Sequence, residues 1–182
     1  KVASLSALLG GSSGAPAGSG IVTEVIARPP VSPYDTLVVG KGSDAGVALN
    51  MEAFGNGGVP LGVVTSVTRS FSRVTLFSAP GETLSAWVGS AHAPVTLGGS
   101  GAGAFSASVP RAANIAVGDA VYAPGQGAVP IGIVRRIDGA PAAPSVDLRI
   151  APAANPFSLT NVVLRDSGSA LLGALSCATS TP

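Results

Sequence analysis

The sequence contains one glycine-rich segment twice, and this repeat constrains the fold more than any other feature. Residues 53–67 read AFGNGGVPLGVVTSV and residues 123–137 read APGQGAVPIGIVRRI. The two copies share their glycines at three positions, their Val-Pro pair and their first alanine. A repeat at this separation indicates two similar modules in one chain.

Each copy is typical of a strand that turns a corner. A glycine-rich turn precedes a proline, whose fixed φ suits the first residue of a strand, and β-branched residues follow. Gly62 and Gly132 then lie within the strand, where glycine marks a bulge, a sharp corner or the close approach of another backbone. Such corners predict small barrels rather than flat sheets.

The rest of the chain is made of short β-branched runs separated by turn residues, which is an all-β pattern. The glycine-rich residues 98–103 are predicted to form a hairpin turn or a loose loop. We predict an all-β fold of two small six-stranded β-barrels, with a flexible N-terminal segment. The predicted strands are residues 21–27, 34–39, 51–54, 60–68, 73–78, 84–88, 93–97, 104–109, 120–123, 130–138, 146–150 and 161–165.

Composition divides the chain into four parts. Residues 1–20 are rich in Gly, Ser, Ala and Pro and are predicted to be a flexible linker, or the end of an upstream helix. The first barrel module is assigned to residues 21–80, the second to residues 81–166, and residues 167–182 form a tail. The sequence leaves open whether the last strands return to the first barrel, which would make the second barrel an insertion.

Charge and hydropathy exclude several classes of function. The chain has ten basic and nine acidic residues, scattered along the sequence, so it offers neither a basic face for a nucleic-acid backbone nor a polybasic patch for anionic lipid. No apolar run approaches the roughly 18 residues of a membrane span. A membrane anchor is therefore expected upstream of Lys1. Charged residues make up only 10% of the chain, which favours self-association.

Residues that could carry metal or cofactor chemistry are scarce. His92 is the only histidine and Cys177 the only cysteine, so neither a zinc site nor a disulfide is expected. Cys177 has no basic neighbour in sequence and is predicted to be a small hydrophobic residue rather than a reactive thiol. The glycine-rich segments lack the Lys-Ser/Thr pair of a phosphate-binding loop, so no cofactor is predicted.

The sequence RDSGS near the end of the chain is the one fragment that resembles a hydrolase motif. Ser167 would be the nucleophile and His92 the base. Asp119 or Asp138 would orient the histidine. Against this reading, Arg165 replaces the expected glycine, little chain follows the serine, and the histidine lies halfway along the sequence. We therefore predict no catalytic residues.

Several motifs in a fixed order resemble the family of the rod shape-determining protein MreC. In that family an R-x-P, a Y-x-T strand, a KGS loop, a glycine-containing strand, an S-R-V strand and a V-G-D segment follow one another. The resemblance covers residues 21–164 and is that of a divergent member, since residues 87–111 match only in pattern. The matching motifs are IARPP at 26–30, YDTLVVGKGSDAGV at 34–47, GGVPLGVVTSV at 57–67, SRVTLFS at 72–78 and VGDAV at 117–121.

The resemblance implies a non-catalytic scaffold of the bacterial cell-wall elongation machinery. It implies two barrels on the extracytoplasmic face of the cytoplasmic membrane, in the periplasm or its equivalent, held by a single-pass anchor. It also implies self-association, as a homodimer or a filament, and binding to a peptidoglycan transpeptidase and other elongation-complex proteins. The alternative is another structural or adhesive double-barrel module.

Partners are expected to pair with exposed strand edges and apolar patches. Phe54 and Phe71, near strand ends in the first module, are the predicted contact residues, with core packing as the alternative for both.

Overall fold

The structure is a computed structural model that describes residues 20–32, 35–123 and 129–166. The predicted linker, apart from Gly20, lies outside the described residues, as does the predicted tail with Ser167 and Cys177. Tyr34 and residues 124–128 of the second repeat also lie outside them. Within the described ranges, no helix is both long and apolar enough to cross a membrane.

The first barrel is a closed sheet of six antiparallel strands. Its members are β1 (Ile21–Ala27), β2 (Thr36–Val39), β3 (Glu52–Phe54), β4 (Pro60–Val67), β5 (Ser72–Leu76) and β12 (Asn161–Arg165). Around the barrel the order is β1-β12-β3-β4-β5-β2, and β2 pairs with β1 to close it.

The second barrel is also closed and antiparallel. Its members are β6 (Thr83–Val88), β7 (Ala93–Gly101), β8 (Ala104–Pro110), β9 (Ala120–Tyr122), β10 (Pro130–Asp138) and β11 (Ser145–Pro152). Around the barrel the order is β10-β11-β8-β7-β6-β9. The predicted all-β fold of two six-stranded barrels is confirmed. Single 3₁₀ turns lie at Ser43–Ala45, Asn56–Gly58, Arg111–Ala113 and Pro156–Ser158.

The last described strand belongs to the first barrel. β12 pairs with β1, from Ile21 opposite Leu164 to Glu24 opposite Asn161, and it also pairs with β3. The second barrel is therefore inserted between β5 and β12. The strands of the two barrels can be matched in chain order, with β12 corresponding to β6 and β1 to β5 corresponding to β7 to β11. Every pair of neighbouring strands in one barrel then corresponds to a pair of neighbouring strands in the other. The two barrels share one topology.

The repeated glycines occupy equivalent corners. Gly62 is in β4, which pairs with β3 and β5, and Gly132 is in β10, which pairs with β9 and β11. Each glycine lies next to a shift in strand register. A Cβ at Gly62 would lie 2.0 Å from the carbonyl oxygen of Thr75, and one at Gly132 would lie 2.6 Å from that of Ala151. Both positions require glycine because another backbone passes too close for a side chain. The predicted corner-turning strands are confirmed.

Each barrel is filled by its own apolar core, which follows from the alternation of inward and outward residues along the strands. In the first barrel the fully buried side chains include Leu37, Val64, Val74 and Leu164. In the second barrel they include Leu97, Val121, Val134 and Leu148. Outward-facing positions therefore supply the surfaces available to partners.

One predicted turn is in the right place but shorter than expected. Residues 98–103 were predicted to form a hairpin turn or a loose loop, but β7 continues to Gly101 and only Ala102 and Gly103 form the turn before β8. A Cβ at Gly99 would lie 2.1 Å from the carbonyl oxygen of Ala79, in the segment that leads into the second barrel. Gly99 is thus needed for close approach of two chain segments and not for a turn.

Candidate interaction surfaces

A buried carboxylate joins the two barrels. Asp35, just before β2, is 8% exposed, and its Oδ2 accepts hydrogen bonds from Ser78 Oγ at 3.0 Å and from the Gly103 amide at 3.2 Å. Gly103 lies in the turn between β7 and β8 of the second barrel. Asp35 adopts a left-handed backbone conformation with φ of 50°, which aspartate tolerates better than most residues. The carboxylate thus fixes a turn of one barrel against the other.

Around this carboxylate, apolar side chains from both barrels pack closely. Leu61 and Leu76 of the first barrel face Phe105 and Ile131 of the second across a gap of only about 20 Å³. That volume is near the minimum needed for one water molecule. Phe77 packs against the core of the second barrel while its amide donates to the Leu61 carbonyl at 2.9 Å. The junction is a packed seam with no room for a ligand.

The residues of the hydrolase motif do not form a hydrogen-bonded triad in the described part of the chain: His92 and Asp119 line the same open cleft without a hydrogen bond between them, and Ser167 lies outside the described residues. His92 is exposed in the turn after β6, with Nδ1 3.1 Å from the Ser90 carbonyl oxygen. Asp138 accepts from Arg136 and lies 3.5 Å from Arg149. Neither Asp138 nor Asp119 is hydrogen-bonded to the histidine.

The described residues also contain no group of three His, Cys, Asp or Glu side chains that could hold a metal ion.

The two predicted contact residues have different surroundings. Phe54 is 4% exposed, and the Arg165 guanidinium lies 5.3 Å from its ring centroid, so it offers almost no surface to a partner. Phe71 is 49% exposed and lies in the turn between β4 and β5. Thr68 stabilises this turn, because its Oγ1 accepts from the Phe71 amide and donates to the Phe71 carbonyl oxygen. The Phe71 ring is therefore presented by an ordered turn.

An apolar strip crosses the outside of the second barrel. Ile133 of β10 is 38% exposed and lies directly opposite Ala120 of β9. Val117 is 61% exposed, and its neighbour Gly118 donates a backbone hydrogen bond to Val134 at 2.8 Å. We call Val117, Ala120 and Ile133 the β9–β10 strip. Sequence reasoning missed it, although an isoleucine between two inward residues of β10 is a signal of an exposed apolar position.

The structure does not offer the exposed strand edges that were predicted as contact surfaces. Both barrels close on themselves, and closure removes the free edge strands that edge pairing requires. The expectation that partners pair with exposed strand edges is therefore wrong for the described residues. Apolar side chains on the outer faces remain as the surfaces for contact.

These features define a class of protein: a double β-barrel in which one barrel is inserted in the other and a buried seam joins them. Residues 25–166 match the family profile described as "Rod shape-determining protein MreC, barrel core". The match spans more than half of the chain, and the chain belongs to the MreC family. The resemblance seen in its motifs is confirmed.

Solved structures share this fold. MreC from Pseudomonas aeruginosa superposes with a TM-score of 0.72 at 20% identity, covering 81% of this chain and 99% of that one. The major periplasmic domain of the cell shape-determining filament MreC gives 0.59 at 21% identity, with 80% and 94% covered. MreC in complex with the penicillin-binding protein PBP2 from Helicobacter pylori gives 0.54 at 12% identity, with 81% and 99% covered. No curated protein sequence matches significantly.

Proposed function

We propose that the chain is a non-catalytic scaffold of the bacterial cell-wall elongation machinery. The observation that carries this proposal is its membership of a rod shape-determining family over residues 25–166. The described surface agrees with it, because exposed apolar side chains are present there for partners to contact. A scaffold needs partner surfaces in fixed positions, and the packed seam between the barrels supplies that fixed geometry.

Self-association through the Phe71 turn is the first part of the proposal. Leu61 near the start of β4 and Leu76 at the end of β5 line the seam, so the turn between these strands lies at the end of the first barrel away from the second. A contact there would join copies without disturbing the seam. Self-association is supported by the shared fold of the solved major periplasmic domain of the cell shape-determining filament MreC.

The experiment is sedimentation velocity over a concentration series with Phe71→Ser. We expect the dissociation constant for self-association to rise about tenfold, equivalent to about 1.4 kcal/mol. Phe157→Ser is the matched control, because Phe157 is a similarly exposed phenylalanine (43%) in a different loop. If both variants associate like the parent chain, the Phe71 contact is rejected.

Binding of a peptidoglycan transpeptidase through the β9–β10 strip is the second part. Exposed apolar side chains that are contiguous on a surface mark interaction sites. The structure of MreC in complex with PBP2 from H. pylori supports a partner of this kind. Other membrane proteins of the elongation complex are proposed to bind the remaining outer faces.

The corresponding test is a binding assay between the purified chain and the penicillin-binding transpeptidase of the same organism. Ile133→Ser should weaken binding about tenfold. Val31→Ser makes the same kind of change at a more exposed position (83%) on the first barrel, and should leave binding unchanged. Equal affinity of the two variants would reject the strip as the contact surface.

The proposed location is the extracytoplasmic face of the cytoplasmic membrane, with a membrane anchor preceding the barrels. The periplasmic origin of the related MreC domain supports this location. Fusion of the chain to a reporter that is active only outside the cytoplasm would test it in cells.

A further inference from the structure

Two aromatic side chains lie side by side on the outside of the second barrel. Trp87 of β6 is directly opposite Tyr122 of β9 in the antiparallel ladder. The neighbours Val88 and Val121 point into the core and are at most 1% exposed, so both rings point outward. Each ring is partly exposed. We call these two outward-facing side chains, which line the same cleft, the aromatic platform.

The turn after β6 places a third ring beside the platform. His92 has a left-handed φ of 50°, and its ring centroid is 6.4 Å from that of Trp87 with the planes tilted by 45°. Its backbone amide donates to the Gly89 carbonyl oxygen at 3.2 Å. Because Nδ1 lies 3.1 Å from the Ser90 carbonyl oxygen, Nε2 remains available to a ligand. The turn thus combines a ring face with a polar atom.

A carboxylate lies next to the rings. Asp119 Oδ2 accepts a hydrogen bond from the Ala116 amide at 2.9 Å, which orients the carboxylate, and among the described residues no donor is hydrogen-bonded to Oδ1. Gly89 has φ of 69°, and a Cβ there would lie 3.2 Å from Asp119 Oδ2. Glycine at this position therefore leaves space beside the carboxylate.

Together these residues line an open cleft of about 470 Å³, which lies within the range of about 300–1,000 Å³ typical of small-molecule sites. Its lining is both aromatic and polar, with Trp87, Tyr122 and His92 as rings and Ser90 and Asp119 as polar groups. No lysine or arginine lines it. We propose that this cleft binds a neutral sugar, with a pyranose ring stacked on the aromatic platform and its hydroxyl groups donating to Asp119.

The chemistry of the lining favours this ligand over others. A pyranose has an apolar C–H face and a polar rim, and the cleft has an aromatic face bordered by polar groups. A phosphate or nucleic acid would meet a carboxylate without a compensating cation. A purely apolar ligand would cover Asp119 Oδ1 and the Ser90 hydroxyl without offering either a hydrogen-bond partner, which is unfavourable. The cleft shares Ala120 with the β9–β10 strip but includes neither Ile133 nor the Phe71 turn, on which the tests of the scaffold depend, so failure of the sugar site would leave the proposed scaffold function intact.

The test uses the full chain and its own fluorescence, because Trp87 is the only tryptophan in the sequence. Titration with the neutral oligosaccharides cellotetraose and chitotetraose should change the emission of Trp87 in a saturable way. A proline-rich peptide and inorganic phosphate are titrated in parallel. Saturation by the peptide alone would overturn the proposal, since aromatic grooves also bind such peptides.

Two variants retain the reporter and separate the roles of the cleft residues. Tyr122→Ala removes half of the platform, and Asp119→Asn removes the charge while keeping an oxygen that can accept from the Ala116 amide. Each should raise the dissociation constant about tenfold, which is 1.4 kcal/mol. Phe71→Ser, on the other barrel, should bind like the parent chain. Unchanged affinity in both cleft variants, or no saturable response in the parent chain, would overturn the proposal.

Discussion

Replacing Asp35 by alanine is expected to destabilise both barrels, because this residue joins them. The change removes the acceptor of Ser78 Oγ and of the Gly103 amide, and it leaves both donors in a buried seam. A hydrogen bond to a charged group contributes about 1.5–3 kcal/mol, and the two bonds share one oxygen atom, so about 3 kcal/mol is expected to be lost.

The backbone of Asp35 adds a second contribution. Its φ of 50° lies in the left-handed region, where alanine is disfavoured by about 1 kcal/mol relative to residues that tolerate this conformation. The total for Asp35→Ala is therefore about 4 kcal/mol. Asp35→Asn keeps the backbone preference and one oxygen acceptor, and should lose only about 1 kcal/mol.

The assay is urea unfolding followed by circular dichroism, which reports on both barrels, and by Trp87 fluorescence, which reports on the second. Asp44→Ala is the control, because its side chain is 67% exposed and its ion pair with Arg69 is long at 3.9 Å. Such a pair contributes less than about 1 kcal/mol. If Asp35→Ala unfolds at the same urea concentration as Asp44→Ala, the role assigned to the buried carboxylate is refuted.

Three further predictions follow from backbone contacts. Gly62→Ala should prevent folding more severely than Gly132→Ala, as judged by circular dichroism, because a Cβ would lie closer to a carbonyl oxygen at Gly62 (2.0 Å against 2.6 Å); the reverse order would contradict the geometry. Gly99→Ala should speed amide exchange at Gly103 by loosening the seam, whereas Gly98→Ala, whose Cβ would meet its nearest atoms at an ordinary 3.8 Å, should not. Ending the chain after Thr160 removes β12, and limited proteolysis should then digest the first barrel and leave a fragment containing Trp87.

Strand positions could be predicted well because their determinants are local. The predicted strands at residues 21–27, 130–138 and 161–165 have the same bounds as β1, β10 and β12. In each, β-branched residues alternate or run together between turn residues, which limits the local conformations available. The repeated glycines were read correctly as corners for the same reason.

Contacts between distant segments could not be predicted in this way. Gly98–Gly101 continue β7 because Gly99 passes against Ala79, and nothing in the glycine-rich sequence indicates that partner. Likewise, β12 completes the first barrel only because its pairing with β1 and β3 closes the sheet. Closure depends on all strands of the barrel, so the sequence of residues 161–165 alone does not indicate it.

The aromatic cleft depends partly on local sequence, which could be predicted, and partly on contacts between distant segments, which could not. Trp87 stands between Ala86 and Val88 in an alternating strand, so its outward position could have been predicted from sequence. Its pairing with Tyr122 depends on the register between β6 and β9, which are separated by two intervening strands in the chain. Sequence therefore indicates an outward-facing tryptophan, while the structure adds Tyr122 and Asp119, which complete the proposed cleft.

Because the second barrel is inserted in the first, the two barrels are restricted in how they can move relative to each other. Domains joined by one linker usually move relative to each other unless the interface between them is large and apolar. Here the chain crosses the seam twice, from β5 to β6 and from β11 to β12, and β12 is locked between β1 and β3. Rotation of the second barrel would have to strain both crossings and break the hydrogen bonds of Asp35. The two surfaces proposed as partner contacts, the Phe71 turn and the β9–β10 strip, are consequently expected to keep a constant separation, which is what a scaffold requires.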